Sequence, residues 1–438
     1  MQIQNIFYFL IFSYYCLKYL MSPGIQMRSP LDRSVKIQFD GPEACWIIMF
    51  STGLLAFQTA WVVDIQALRL LMIEILCIVG TIVVKRQPVW TIPLLFYGAY
   101  LLWIIVGCTY SPSPAIGFRV FLKYLFPLLM ALFASAAVRH TETFLKAGQG
   151  ATVLGVISIV LFIIIPSAGE LLPGVFWYGP ARTINYISLL VFCLTLYFFT
   201  NKKRSNLFLS VFFILPCFIA VYRTSIMGTI VALSAFFFIK YTIRSLPIII
   251  TLFIAGVIAV FAIPSLHKKM FKEDTNITLE QFEEGKVTME HVETNAREAM
   301  WEYLEKKFYK NHKTIGSGTG SVQQHMYTHF LFGGLKVPHS DFVQMRCDNG
   351  LIGLGLYVLM ILAVFIHCFR TYWSYGSIPI KMCALTAGAS LMGVFVTLYS
   401  ENTVNYSMAT LSMPFGFYGM MLGLIKGEQE KQDSPGSE

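Results

Sequence analysis

Leu246 to Pro264 reads LPIIITLFIAGVIAVFAIP, a stretch without a single charged residue. As an α-helix, at 1.5 Å per residue, it covers about 30 Å, the depth of a bilayer's hydrocarbon core. Working outward, Lys240 and Arg244 separate it from a second apolar run at 225–240. On the other side it gives way to the basic segment His267-Lys268-Lys269. Runs of comparable length recur at 46–63, 67–84, 90–109, 116–138, 148–166, 184–200 and 206–222, and again at 350–369, 380–400 and 408–425. The expected fold is therefore all-α, a polytopic transmembrane bundle of about twelve spans. The aromatic stretch 3–20 is a further candidate, either an extra span or a surface helix. It lacks the basic start and small-residue cleavage site of a signal peptide.

Composition agrees. Of 438 residues, 56% are hydrophobic and 13% charged, against about 25% charged in soluble domains. This excludes a soluble enzyme, a disordered protein and a disulfide-rich secreted module. The net charge of +9 suggests nucleic acid less than it suggests loop lysines and arginines that orient a membrane protein. Nine cysteines lie mostly in apolar runs without a C-x-x-C pair, and read as small buried hydrophobes rather than disulfides or a metal site.

Basic residues alternate along the chain. Arg28, Arg33, Lys36, Lys85, Arg86, Arg139, Lys146, Lys202, Lys203, Arg204, Lys240, Arg244, Arg370 and Lys426 fall in one set of connections. The other short connections hold only Arg182 and Arg223. The positive-inside rule then makes the first set, with both termini, cytoplasmic. The organisation expected is an N-terminal segment at 1–45, nine spans over 46–264, a large outer loop at 265–349, three spans over 350–425 and a cytoplasmic tail at 426–438. Every histidine except His140 and His367 lies in the long loop. Within it, 296–310 has a helical pattern, with Met300, Leu304 and Phe308 recurring every fourth residue. Gly316-Ser317-Gly318-Thr319-Gly320 reads as a flexible turn. So long a connection implies a function.

Ionisable residues in or beside spans are candidates for chemistry because they are costly there. Arg223, in Val221-Tyr222-Arg223-Thr224-Ser225, sits in a tight outer connection. Two readings stand, a guanidinium meeting a phosphate bidentately or an arginine snorkelling at the interface. Arg119 and Lys123, four apart on one helix face, form a possible anion site. Arg69 and Glu74 read as structural. His339, in Pro338-His339-Ser340-Asp341, lies where the loop returns to the membrane. Its imidazole suits proton transfer from a hydroxyl, with Asp341 or Asp348 to orient it; alternatively it belongs to a helix cap with Ser340 and Asp341. The pair His325/His329 has metal-ligand spacing but no marked third ligand. No P-loop or esterase elbow is present.

Four stretches together resemble the O-antigen ligase and O-antigen polymerase superfamily of bacterial inner-membrane glycosyltransferases. Arg297 with Trp301, then His312 and Ile315-Gly316-Ser317-Gly318, is similar to one motif of that family. His339-Ser340, then nine residues, then Gly350 is similar to its histidine motif. Tyr222-Arg223-Thr224-Ser225 is similar to its arginine loop, and Arg182 with Asn185 to the approach to its sixth span. Tyr222, Ser340 and Lys313 depart from the commoner Ser, Asn and Pro. The resemblance implies metal-independent, cofactor-free transfer of glycan in the periplasm. The donor is an undecaprenyl-pyrophosphate carrier, and the acceptor is the next lipid-linked repeat (a polymerase) or lipid A-core (a ligase). The lean is to polymerase, since nothing in the sequence must bind lipid A-core. It implies catalytic roles for His339 and Arg223, and pyrophosphate or glycan binding by Arg182, Arg297, Lys123 and Arg119. Membrane lipids, a flippase and a chain-length regulator are the implied partners, without nucleic acid.

The alternative of another class is a lipid-linked glycan flippase or polysaccharide exporter. Such a transporter predicts repeat symmetry and polar, broken helices near the midplane, whereas the polar residues here gather in one outer loop and at outer helix ends. A receptor or structural role leaves those residues without a purpose.

Overall fold

The structure is a computed structural model and describes residues 2–30, 34–54, 65–163, 180–200, 202–219, 221–271, 297–329, 335–403 and 408–433. Its architecture is all-α apart from one hairpin, in which β1 (Ile25–Arg28) pairs antiparallel with β2 (Lys36–Phe39). Helix α1 (Gln2–Leu20) precedes the hairpin. After it come α2 (Gly41–Ser51), α3 (Ile65–Val83), α4 (Ile92–Thr109), α5 (Pro114–Ala137), α6 (Thr141–Ile163), α7 (Tyr186–Phe199), α8 (Arg204–Phe212) and α9 (Leu215–Ile219). Then follow α10 (Arg223–Tyr241), α11 (Leu246–Ala262), α12 (Pro264–Met270), α13 (Arg297–Leu304) and α14 (Ser321–His329). The last three are α15 (Asp341–Ser374), α16 (Ile378–Thr397) and α17 (Met408–Asp433).

Six helical stretches among the described residues are long and apolar enough to cross a membrane. One of them, Arg223–Ala262, is interrupted by Thr242, whose φ of +54° turns α10 back into α11. The stretches Ile6–Leu20, Thr183–Phe199 and Arg204–Ile219 are apolar but shorter. The expectation of about twelve spans is thus met in kind, and length alone supports a smaller count. The expected 206–222 run, for instance, is divided into α8 and α9 around Phe213 and Ile214.

Helix α16 is the hub, packing against α7, α10, α15 and α17. Its buried face is rich in small residues (Ala384, Ala387, Gly388, Ala389, Ser390 and Gly393). These let neighbouring backbones approach closely, the usual solution where lipid removes the hydrophobic drive between helices. At the other extreme, no residue of α11 is buried.

The helix ends sort into two poles. At one, Arg86 donates to the Val138 and Gly423 carbonyls, each at 3.0 Å, and pairs with Glu430; Lys426 donates to the Gln87 carbonyl. At the other, the 310–320 segment meets α4: Thr319 N donates to the Gly107 carbonyl and Tyr110 to the Ile315 carbonyl. The described 310–320 part of the long connection therefore stands at the pole opposite Arg86 and Lys426.

Helix α15 crosses this boundary with a break. Gly350 has φ +66°, and the amides of Leu351 and Ile352, freed by the break, donate to the Lys313 and Thr314 carbonyls. Only glycine takes this geometry without strain, and a Cβ here would lie 2.3 Å from the Thr314 carbonyl oxygen. Gly350→Ala is expected to destabilise the protein by at least about 2 kcal/mol, combining left-handed strain with a backbone clash. Thermal unfolding in detergent checks this, and an unchanged midpoint refutes it.

Candidate functional site

The site is built where α13, the start of α15 and the connection after α16 meet. Met300 and Leu304 form the buried stripe of α13, as their spacing requires, and pack with Val322, Met326, Val343 and Cys347. This small core holds the outer segment against α15. Trp301 lies on the same helix and donates from Nε1 to the Pro338 carbonyl at 2.6 Å. Two residues on, the Ser340 amide donates to Asn402 Oδ1 at 3.0 Å, while its hydroxyl caps α15 by accepting from the Val343 amide.

Between these two tethers stands His339, with φ +52°. A non-glycine residue in the left-handed region costs roughly 1–2 kcal/mol, and such strain persists only where the surroundings over-determine it. The cap reading of this segment is correct for Ser340. His339 itself turns its ring away to another partner, with Nδ1 3.4 Å from Glu401 Oε2.

Glu401 is only 2% exposed. Its other oxygen lies 3.1 Å from Arg297 Nη2, and Arg297 Nη1 donates to the Ser400 carbonyl at 2.6 Å. The Ser400 hydroxyl is 3.0 Å from that of Thr224, the second residue of α10. Arg297, His339 and the start of α10 thus converge on one short connection, residues 398–403. Asn402 donates to Asp341 and Gln344, and Thr403 to Asp341. The Asp341 amide in turn donates to the Leu398 and Glu401 carbonyls.

The carboxylate hydrogen-bonded to the His339 ring is therefore Glu401, a residue the sequence reading passed over. Asp341 holds Asn402 and Thr403. Asp348 accepts from the Gly320 and Val322 amides at 3.0 and 2.9 Å and so caps α14. Gly316–Gly320, read as a flexible turn, is pinned: Ser317 and Gly318 donate to the Cys347 and Asp348 carbonyls, and Thr319 donates from its hydroxyl to Ile104. Three glycines with positive φ let this backbone lie directly on α4 and α15.

Arg223 is the first residue of α10 and lines a cleft of about 510 Å³ between α9, α10, α11 and α12. The cleft's other walls are almost wholly apolar, among them Phe218, Ile230, Leu233, Leu252 and Phe261. At the same pole, Arg119 is exposed on the second turn of α5 and Lys123 is half-buried one turn further along. Arg182 belongs to the turn Pro180–Asn185, and its side chain lies outside the described residues. His312 is exposed, and its carbonyl accepts from the Gly316 amide. Arg69, read as structural, is buried, donates to the Thr52 carbonyl at 2.6 Å and lies over the Phe12 ring.

No group of three His, Cys, Asp or Glu side chains among the described residues has metal-ligand geometry, and all nine cysteines are free thiols. His325 and His329 stack with ring centroids 4.0 Å apart. His325 Nε2 faces the Tyr303 hydroxyl at 3.1 Å and Lys307 Nζ at 3.3 Å. Burial, then the Lys307 ammonium and His329, hold the His325 imidazole down at about 4. Its folded value is below the ordinary 6.5, so the unfolded chain takes up a proton that the folded one refuses. Stability is complete above pH 6.5 and is lost as pH falls toward 4. Corrected for the intrinsic slowing of exchange in acid, amide protection across 297–329 is expected to fall between pH 7 and pH 5, and His325→Phe to abolish the difference. Equal protection at both pH values in the unaltered protein sinks this prediction.

Residues 208–358 match the family model described as O-antigen ligase. The match spans the starts of α10, α13 and α15, and so Arg223, Arg297 and His339. No curated protein matches the chain.

Proposed function

We propose that this chain, whose residues 208–358 match the O-antigen ligase family, transfers glycan from an undecaprenyl-pyrophosphate carrier to an acceptor hydroxyl at the periplasmic face. The observation that carries the reading is the convergence of Arg297 and His339 on residues 398–403, beside the helix that begins with Arg223. The pole bearing the long connection is read as periplasmic and the basic pole as cytoplasmic.

The chemistry follows from the residue types. His339 Nδ1 faces a carboxylate, which favours the proton on that nitrogen and leaves Nε2 as the base. The acceptor oxygen forms a bond to the anomeric carbon, its proton passing to Nε2. The bond from that carbon to the pyrophosphate oxygen breaks, and the electron pair leaves with the lipid diphosphate. Negative charge grows on the leaving group, and the guanidinium groups of Arg223 and Arg297 offset it; Arg182, Lys123 and Arg119 add positive charge around the same rim. The apolar cleft below Arg223 suits the hydrocarbon chain of such a donor.

The acceptor is read as a lipid-linked repeat, making the protein a polymerase that works beside a flippase and a chain-length regulator. Acids and bases nearly cancel over 265–345, so that loop offers no strongly basic surface for a phosphorylated lipid A-core. Glycan profiles of a deletion strain test the proposal. A single repeat left on core is the expected phenotype. Full-length carrier-linked polymer that never reaches core makes the protein a ligase, and an unaltered profile overturns transfer altogether.

A further inference from the structure

We infer that Glu401 is a positioning residue for the transfer reaction, acting through His339 and Arg297 together; the inference rests on the function proposed above. Glu401 lies outside the stretch matched to the O-antigen ligase family, on the connection between α16 and α17. Its carboxylate is nearly inaccessible, yet both oxygens are engaged, one by a guanidinium at 3.1 Å and one by an imidazole at 3.4 Å. Burial of a carboxylate is costly unless it is paired and hydrogen-bonded. Here the pairing also serves geometry. One rigid, planar group sets the plane of Arg297 and the proton-bearing nitrogen of His339, the two side chains assigned to leaving group and nucleophile.

The surroundings are built to hold that carboxylate still. The Glu401 carbonyl accepts from the Asp341 amide at 3.2 Å, the neighbouring Ser400 carbonyl accepts from Arg297, and the next side chain, Asn402, accepts from the Ser340 amide. Leu398 and Asn402, on either side of Glu401, therefore anchor the two residues that follow His339, while Trp301 holds Pro338 before it. A histidine whose orientation depends on a buried carboxylate has its ring held in one tautomer.

The experiment compares full-length wild type, Glu401→Gln and Glu401→Asp in membranes, following transfer from a synthetic polyprenyl-pyrophosphate glycan and normalising to folded protein. Glu401→Gln keeps the shape and a hydrogen-bond acceptor but loses the charge. It is expected to lower kcat at least tenfold. KM for the donor is expected to change less than about threefold, because the loss falls on alignment of the reacting groups rather than on binding. Glu401→Asp is expected to recover part of the rate through its retained charge and lose the rest through its shorter reach. A merely structural glutamate lowers the amount of folded protein and leaves kcat of the surviving fraction in place.

Wild-type kcat per folded protein in Glu401→Gln, or a loss confined to KM, overturns the inference. If Glu401→Gln does not accumulate, Glu401→Asp decides: full rate in that variant overturns it as well. Arg297→Ala and His339→Ala run in parallel separate the two levels of the argument. Should both retain transfer, the site itself is wrong. Should both lose transfer while Glu401→Gln behaves as wild type, only the role of Glu401 falls.

Discussion

His339→Ala is expected to reduce glycan transfer by about 10²- to 10⁴-fold, the range over which a positioned general base contributes, without removing the protein from the membrane. The fold argument is local. His339 precedes the cap of α15, and the cap is made by Ser340, so the helix start survives the substitution. Glu401 keeps Arg297 as its partner. His339→Gly sharpens the test, because glycine occupies φ +52° without the strain that histidine carries there. That variant is expected to be at least as stable as wild type in detergent and still inactive. Loss of transfer with retained or increased stability is the signature of strain held for function. Glycan ladders of normal length from either variant, with normal protein levels, dispose of the proposed base.

The second large effect belongs to Arg223. Arg223→Ala is expected to lower transfer by about 10²- to 10³-fold, comparable to removing one preorganised donor to a developing anion. Arg223→Lys is expected to restore only part of it, since an ammonium cannot reproduce a bidentate fork on phosphate. Stability is expected to move the other way or not at all. A cation in the first turn of α10 opposes the helix dipole, an arrangement unfavourable by roughly 0.3–1 kcal/mol. An anionic head group at that spot meets both the guanidinium and the positive end of the helix dipole. If instead the arginine only snorkels to the interface, Arg223→Lys works as well as wild type.

Much of this was legible in the sequence, for a definable reason. Arg223 and His339 interrupt or border apolar runs, where a polar group is conspicuous, and the alternation of basic loops put both at one face. Met300 and Leu304 announced the buried stripe of α13 by spacing alone. Glu401 was hidden because its meaning is a long-range pairing. In sequence it is one acid in a short neutral connection, and nothing local links it to Arg297 or His339. The signal available was weak: Ser400-Glu401-Asn402 is a short polar cluster ending an apolar run. Gly316–Gly320 misled for the opposite reason. Glycine permits both flexibility and close backbone approach, and only the contacts with Gly107, Cys347 and Asp348 reveal which applies. Hydropathy also does not reveal that 206–219 is divided into two short helices around Phe213 and Ile214.

The uneven packing of the bundle has a mechanical consequence. Helix α16 is gripped on all sides by small-residue contacts, whereas α11 buries none of its side chains and borders the apolar cleft. Any separation of helices therefore costs least along the α10–α11 seam. On the function proposed above, a long-tailed donor would enter sideways from the surrounding lipid there and its spent carrier leave by the same door, without loosening the scaffold around α16.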